Sequence, residues 1–373
     1  VSEVLIVAGE SSGDLHGSRL VKAIRKKAPG TTFFGLGGDM MESEGVEIYR
    51  DVTKHAAVGI IEGLISYPRL ATTFFGLAAE ARRRKPDVAV LIDFPEFNLR
   101  LAKKLKKAGI PVVYYICPQV WAWRTYRVHI MAKYVDKSLV ILPFEEEFYR
   151  RYGIDASYVG NPILDTLRGP QDVAPTLRED LGIPAHHKLV GLLPGSRRKE
   201  VQRLLPIIAQ SADMIKSRMP DVTFVLGRAS KITEKKINKS LGYENPFIVS
   251  QDVYNIMRSS DMLIVASGTA TLEAAVLGAP MVVVYKVSPL TWFLFIGLMR
   301  VRNYALCNIV AGGEVVPELI QWRAQPWKVA RSSIEMLDDR RLEETRKRLA
   351  TVREKLGAPG ASDRAAEYVI RYL

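Results

Sequence analysis

Two carboxylates and an amide close one apolar run, Ile92-Asp93-Phe94-Pro95-Glu96-Phe97-Asn98. A carboxyl group at a strand end beside Phe94 and Phe97 has its proton affinity raised by apolar surroundings and can act as a general base. The competing role for Asp93 is to cap the helix expected over 97–107. An earlier loop, Gly9-Glu10-Ser11-Ser12-Gly13-Asp14-Leu15-His16-Gly17, gathers Glu10, Ser12 and His16 behind another apolar run. Its glycines let backbone N–H groups approach a ligand, and a helix start favours an anionic or polar group. Asp14 is there the candidate helix cap. A third cluster, Cys117-Pro118-Gln119-Val120-Trp121-Ala122-Trp123-Arg124, offers two indoles and a guanidinium, a wall for a sugar or acyl chain beside an anion contact.

Two further loops stand in the second half. Leu193-Pro194-Gly195-Ser196-Arg197-Arg198 and Ala266-Ser267-Gly268-Thr269-Ala270-Thr271-Leu272-Glu273 each place small residues at a strand-to-helix turn. Side by side, they would cradle a diphosphate with backbone N–H groups, the hydroxyls of Ser196, Ser267 and Thr269, and Arg197. Glu273, expected on the first turn of the following helix, is placed to accept from ribose hydroxyls; pairing with the helix dipole is its alternative. Other chemistries lack their patterns. The phosphate loop G-x-x-x-x-G-K-[ST] is absent, Gly9 and Gly13 miss the dinucleotide spacing, and Gly35-Leu36-Gly37-Gly38 has Met40 at the third glycine position. No G-x-S-x-G elbow occurs. His16, His55, His129, His186 and His187 show no ligand spacing, so no metal and no cofactor is expected, and His186-His187 reads as solvent-facing.

The elements that must carry these loops recur. Glu3–Ala8, a glycine loop and a helical stretch over 14–27 form a strand–turn–helix unit, and Lys188–Leu193 followed by Lys199–Lys216 repeats it. Between the two, Leu164–His187 is the linker candidate. Asp87–Ile92, Val112–Ile116 and Lys137–Leu142 read as further strands of the first half. Val222–Leu226, Met262–Val265 and Met281–Tyr285 read as strands of the second, with a helix over Thr271–Leu277. The chain has 373 residues, 48% hydrophobic and 25% charged, enough for two domains and unlike a disordered or fibrous chain. No apolar stretch reaches the roughly 18–20 residues of a membrane-spanning helix. Val1–Ala8 reads as a strand rather than a leader, and Cys117 and Cys307 are too few for a disulfide framework, which points to a reducing cytosol. Lys and Arg number 53 against 40 Asp and Glu, a net charge of +13 that attracts polyanions.

In order, VAGESSGDLHG, LIDFPEFNLRLA, CPQVWAWR, LPFEEEFY, VGNP, LLPGSRRKEV, ASGTATLEAAVLGAPMVVVYKVSP and NIVAGGEVVPELIQ resemble the lipid-A-disaccharide synthase family, from about residue 3 to 321. The resemblance implies α/β architecture of the GT-B type, two Rossmann-like parallel-sheet domains facing across a cleft. Residues 1–165 would bind the acceptor and 166–349 the UDP-sugar, with a final helix, about 350–373, packing back onto the first domain. The implied reaction transfers a sugar from UDP-2,3-diacylglucosamine to 2,3-diacylglucosamine 1-phosphate, giving the β(1→6) disaccharide phosphate and UDP. Asp93 matches the family's essential aspartate. Arg197, Ser267, Gly268, Thr269, Glu273 and Asn308 match the region that would hold UDP, while Glu10, His16, Asn98 and Arg124 match acceptor-side motifs. Four positions depart from the family pattern. Glu96 stands where members usually carry Asp, Cys117 and Gln119 where they usually carry Ser, and Asn161 where many carry His. The longer side chain of Glu96 reaches about one bond further, which leaves Asp93 as the stronger base.

The mechanism expected from these residues is inverting transfer, with Asp93 taking the proton of the attacking hydroxyl and helix N-termini near Ser196 and Thr269, with Arg197, stabilising the departing UDP. The basic charge and the apolar segments Leu290–Met299 and Ala56–Leu77 point to peripheral docking on the anionic inner face of the cytoplasmic membrane, with acyl chains against a greasy wall. A homodimer is compatible with this reading; a nucleic-acid partner is not expected. Rival readings are another UDP-GlcNAc-using GT-B transferase or 2-epimerase, and a basic protein stacking bases on Trp121 and Trp123.

Overall fold

Short runs rich in Val, Ile and Leu, buried on both faces, build parallel strands joined by helices. A computed structural model describes residues 1–51, 60–122, 124–167, 176–230, 232–296 and 302–373, without the side chains of 60–69, 290 and 294–296. The chain divides into two compact units, Val1–Asp165 with Ala358–Leu373, and Thr166–Gly357.

The first unit holds β1 (Glu3–Ala8), β2 (Thr32–Gly37), β3 (Glu47–Asp51), β4 (Val88–Ile92), β5 (Val112–Tyr115), β6 (Lys137–Val140) and β7 (Ala156–Tyr158). They form one parallel sheet in the order β3-β2-β1-β4-β5-β6-β7. Alternate residues enter opposite layers. Val4, Ile6 and Ala8 join Val90 and Ile92 in one core, while Leu5, Val7 and Leu91 face the other. Ala365, Ala366 and Val369 of the helix Ala361–Val369 complete the first of these cores. That helix lies against Ser11–Lys27 and is tied down by Lys27–Glu367 at 3.0 Å and by Arg364 Nε donating to the Val159 carbonyl at 2.8 Å.

The second unit holds β8 (Lys188–Leu193), β9 (Val222–Gly227), β10 (Ile248–Ser250), β11 (Met262–Ala266), β12 (Met281–Tyr285) and β13 (Glu318–Ile320), parallel in the order β10-β9-β8-β11-β12-β13. In both sheets the strand order reverses once. The reversal lies between β1 and β4, where Ala8 pairs with Ile92, and between β8 and β11, where Leu193 pairs with Val265. Ligands of open α/β sheets bind beyond the carboxyl ends of strands at such reversals. All four chemistry-bearing loops next to these pairs therefore stand where binding is expected.

Both cysteines are free and buried. Among the described residues no helix is long and apolar enough to cross a membrane. Of the two apolar segments, residues 56–59 and 297–299 lie outside the described residues. The remainder falls on the helices Ile60–Arg84 and Pro289–Ile296, which present Phe75 and Phe293 to solvent.

Candidate active site

Strand β4 ends at Ile92 and the helix Pro95–Lys107 begins three residues later, so Asp93 and Phe94 alone turn the chain. Both adopt left-handed backbone angles, φ 45° and 50°. For residues other than glycine this costs on the order of 1–3 kcal/mol each, so surrounding contacts must hold the turn. Two buried donors do so. Tyr114 Oη donates to the Asp93 carbonyl at 2.6 Å, and Asn98 Nδ2 donates to the same oxygen at 2.8 Å and to the Ile92 carbonyl at 3.2 Å. The helix has no side-chain cap, so Asp93 is not its cap. Burial, reinforced by the Glu10 carboxylate and opposed by the Phe94 amide, pushes Asp93 up to about 6. A half-buried carboxylate of that basicity suits proton abstraction near neutral pH.

Gly9 makes this geometry possible. A Cβ there would lie 2.3 Å from the Phe94 ring, so the β1 loop and the Asp93 turn approach each other only through a glycine. Phe94 stacks on Phe97 with centroids 5.3 Å apart, Phe97 meets Phe74 edge-on at 5.4 Å, and Phe74 meets Phe75 at 5.3 Å. A row of rings thus runs from beside Asp93 to the surface, where Phe75 is 63% exposed.

Glu10 and Ser12 are exposed at the start of the helix Ser11–Lys27. His16, one turn further, is half-buried, and its Nδ1 has no hydrogen-bond partner among the described residues. Burial and then Arg19, opposed by Asp165, lower His16 to about 4, so it is a neutral imidazole at physiological pH. Asp14 does not cap its own helix. Its carboxylate accepts from Gly38, Met40 and Met41 N–H at 2.8, 3.1 and 3.1 Å and so caps the short helix Asp39–Ser43. Asn98 is wholly buried with its amide nitrogen on two carbonyls, so it braces the turn instead of facing a ligand.

Glu96 is exposed and paired with Arg124 at 2.6 Å and with Arg127. Partial burial would raise its pKa, but the two guanidiniums outweigh that and hold it below the usual carboxylate range. A carboxylate so held is a poor base; Asp93 is the better one. Trp121 is buried, its Nε1 donating to Glu145 at 2.9 Å, and packs edge-on against Phe144. It is a core anchor and not a ligand wall or a stacking platform for bases. Trp123 lies outside the described residues.

In the second unit the two turns beyond β8 and β11 border a cavity of about 420 Å³, a size that suits a small-molecule ligand. Gly195, Ser196, Arg197, Ser267, Gly268, Thr269 and Glu273 all line it. Gly195 has φ 107° and Gly268 φ 158°, settings that L side chains rarely adopt; Gly268 immediately precedes its helix, and Gly195 lies three residues before the start of the other. The first turns of the helices Arg198–Arg218 and Thr269–Val276 leave backbone N–H groups without intrahelical partners. Arg197 is largely exposed, 3.5 Å from Glu200. Ser267 Oγ donates to the Tyr304 carbonyl at 3.0 Å.

Because that second helix starts at Thr269, Glu273 sits one turn in and not on the first turn. It is half-buried, accepts from Tyr254 Oη at 3.2 Å, and burial raises its pKa against that hydrogen bond. Asn308 does not reach the cavity lining. It is wholly buried, donating to the Val316 carbonyl and Glu318 and accepting from Val315 and Val316 N–H, so no hydrogen-bonding capacity is left for a nucleotide. Glu318 in turn accepts from Tyr304 and Ala305 N–H, and through Tyr304 this network supports Ser267. Sequence reasoning missed Tyr114, Tyr254 and Glu318, which act from separate elements. Glu200, also missed, accepts from the Arg197 backbone N–H at 3.4 Å at the start of the helix Arg198–Arg218.

His186 is exposed as expected, but His187 is half-buried: its Nδ1 is 2.9 Å from Thr223 Oγ1 and its Nε2 is 3.9 Å from Asp221. With His186 these groups form a cluster at the amino ends of β8 and β9, the sheet edge away from the cavity.

Two open parallel sheets, each with its glycine loops at a strand-order reversal, define the GT-B fold. UDP-GlcNAc 2-epimerase from Neisseria meningitidis, solved with UDP-GlcNAc bound, has this fold with a TM-score of 0.66 at 13% identity, covering 99% of this chain and 100% of that one. The calicheamicin glycosyltransferase CalG4 shares it with a TM-score of 0.61 at 15% identity, over 100% of this chain and 98% of that one. A sequence profile described as lipid-A-disaccharide synthetase matches residues 4–370. A lipid-A-disaccharide synthase of Geobacter metallireducens is 43% identical over 373 residues, 99% of this chain and 97% of the relative. The chain belongs to the lipid-A-disaccharide synthetase family.

Proposed function

We propose that the protein transfers the diacylglucosamine unit of UDP-2,3-diacylglucosamine to 2,3-diacylglucosamine 1-phosphate with inversion at the anomeric carbon. The single observation that carries the mechanism is Asp93, half-buried at the first sheet's reversal and raised to about 6. Its carboxylate removes the proton of the acceptor hydroxyl. That oxygen bonds to the anomeric carbon opposite the leaving group, the bond from that carbon to the phosphate oxygen breaks, and its electron pair departs on UDP. The turns at Ser196 and Thr269, with Arg197, Ser267 and Gly268, meet the growing negative charge on the diphosphate. Glu273 accepts from the ribose hydroxyls. On the acceptor side, Arg124 and Arg127 form an anion site for the 1-phosphate, with Glu96 holding them in place, and Glu10, Ser12 and His16 bound the sugar. The rings from Phe94 to Phe75 give acyl chains an apolar track.

A coupled UDP-release assay tests this reading. Release is expected only with both diacylated substrates present, and release that proceeds equally with unacylated UDP-glucosamine contradicts it.

The substrates are lipids, and the net charge of +13 together with exposed Phe75 and Phe293 supports docking on an anionic bilayer at the cytoplasmic face. Co-sedimentation with phosphatidylglycerol-rich vesicles is expected at low salt, falling steeply as salt screens the charges. Protein left in the supernatant at low salt counts against docking.

A further inference from the structure

We infer that Tyr114 is a positioning residue for the transfer, aiming the Asp93 carboxylate by clamping the Asp93 carbonyl from the neighbouring strand. The inference rests on the reading of Asp93 as the base.

Asp93 and Phe94 occupy consecutive left-handed backbone positions, and neither is a glycine. The direction of the Asp93 side chain is set by how its backbone is held, at the N–H, which donates to the Tyr115 carbonyl at 3.1 Å, and at its own carbonyl. That carbonyl has two side-chain donors, Tyr114 Oη at 2.6 Å and Asn98 Nδ2 at 2.8 Å. They come from different elements. Asn98 belongs to the helix that the turn itself starts and also donates to the Ile92 carbonyl at the end of β4. Tyr114 belongs to β5, whose register pairs it with Leu91, two residues before Asp93. Of these two side-chain donors, Tyr114 alone reaches the turn from the neighbouring strand. Its ring is wholly buried in the core shared with Leu91, Phe97 and Leu101, which leaves the hydroxyl little freedom. Burial raises its pKa well above the ordinary phenol value, with the Asp93 charge adding to this, so the hydroxyl stays a protonated donor.

Phenylalanine at 114 keeps the ring and removes only that donor. Tyr114→Phe is expected to lower kcat by about 10-fold to 100-fold, the cost of a displaced catalytic group, with KM for both substrates within about two-fold. The acidic limb of the pH–rate profile should stay near pH 6, since the lost hydrogen bond is to the carbonyl and not to the carboxylate. In an Asp93→Asn background the same substitution should change the residual rate by less than about two-fold, because nothing remains to be aimed. A loss of equal size in both backgrounds, or a normal kcat for Tyr114→Phe while Asp93→Asn is inactive, overturns the inference. Near-normal turnover of Asp93→Asn itself instead overturns the base reading beneath it. Should Tyr114→Phe fail to fold by circular dichroism, Asn98→Ala removes the other donor and must show the same dependence on Asp93, or the clamp is refuted.

Discussion

Asp93→Asn is expected to lower kcat by about 100-fold or more while raising the melting temperature at pH 7. The first effect follows from removing the proton acceptor, and general-base contributions of about 10²–10⁴ are usual. The second follows from linkage. Asp93 has its folded pKa raised from 3.8 to about 6, so between those values the native state binds more protons than the unfolded chain. Its favourable contribution is present below pH 4 and is lost as pH climbs through 6. An amide carries no such charge. The difference in melting temperature between the two proteins should therefore be small near pH 4 and grow to a plateau above pH 6, as followed by calorimetry. In the wild type, kcat/KM should rise with pH below 6 and flatten above it. A mutant that loses activity and also melts earlier at pH 7 would mark Asp93 as a structural prop.

Glu273→Ala should raise KM for the UDP-sugar by about 10-fold to 100-fold with kcat changed only a few-fold. Hydrogen bonds to a charged group contribute about 1.5–3 kcal/mol, and each 1.4 kcal/mol is a factor of ten. The carboxylate is half-buried in the cavity lining and already oriented by Tyr254, so a ligand finds it in place. Titration calorimetry with UDP gives the direct check. Unchanged UDP affinity would remove Glu273 from the nucleotide site, whereas Tyr254→Phe should weaken binding by a smaller factor because it only loosens the carboxylate.

The strand–turn–helix units were legible because a run such as Lys188–Leu193 is apolar from Leu189 onward and is followed by Pro194 and Gly195. The strands that escaped notice have physical reasons for it. β2 contains Gly35 and Gly37, β3 is mostly charged and polar, and β7, β10 and β13 are three residues long, too short to show a period. Loops at strand ends could be read from their glycines and carboxylates. What each polar side chain touches could not. Asn308 and Asn98 look like ligand-facing amides in the sequence, yet both bond to backbone groups that only the folded chain brings near. Trp121 looked like a wall until Glu145, twenty-four positions on, received its indole N–H. Glu273 shifted by a turn because its helix starts at Thr269, two residues before the apolar pattern suggested.

The sixteen residues Ala358–Leu373 belong to the unit that holds Val1–Asp165. During synthesis the chain emerges from the ribosome in order, so the layer lined by Val4, Ile6 and Ala8 waits for Ala365, Ala366 and Val369 until the helix Ala361–Val369 has been made. The nascent amino-terminal unit therefore carries an uncovered apolar face through the making of some two hundred intervening residues. Chaperone capture during that interval, and sensitivity to any lesion that removes the helix Ala361–Val369, are expected from the order in which the parts arrive.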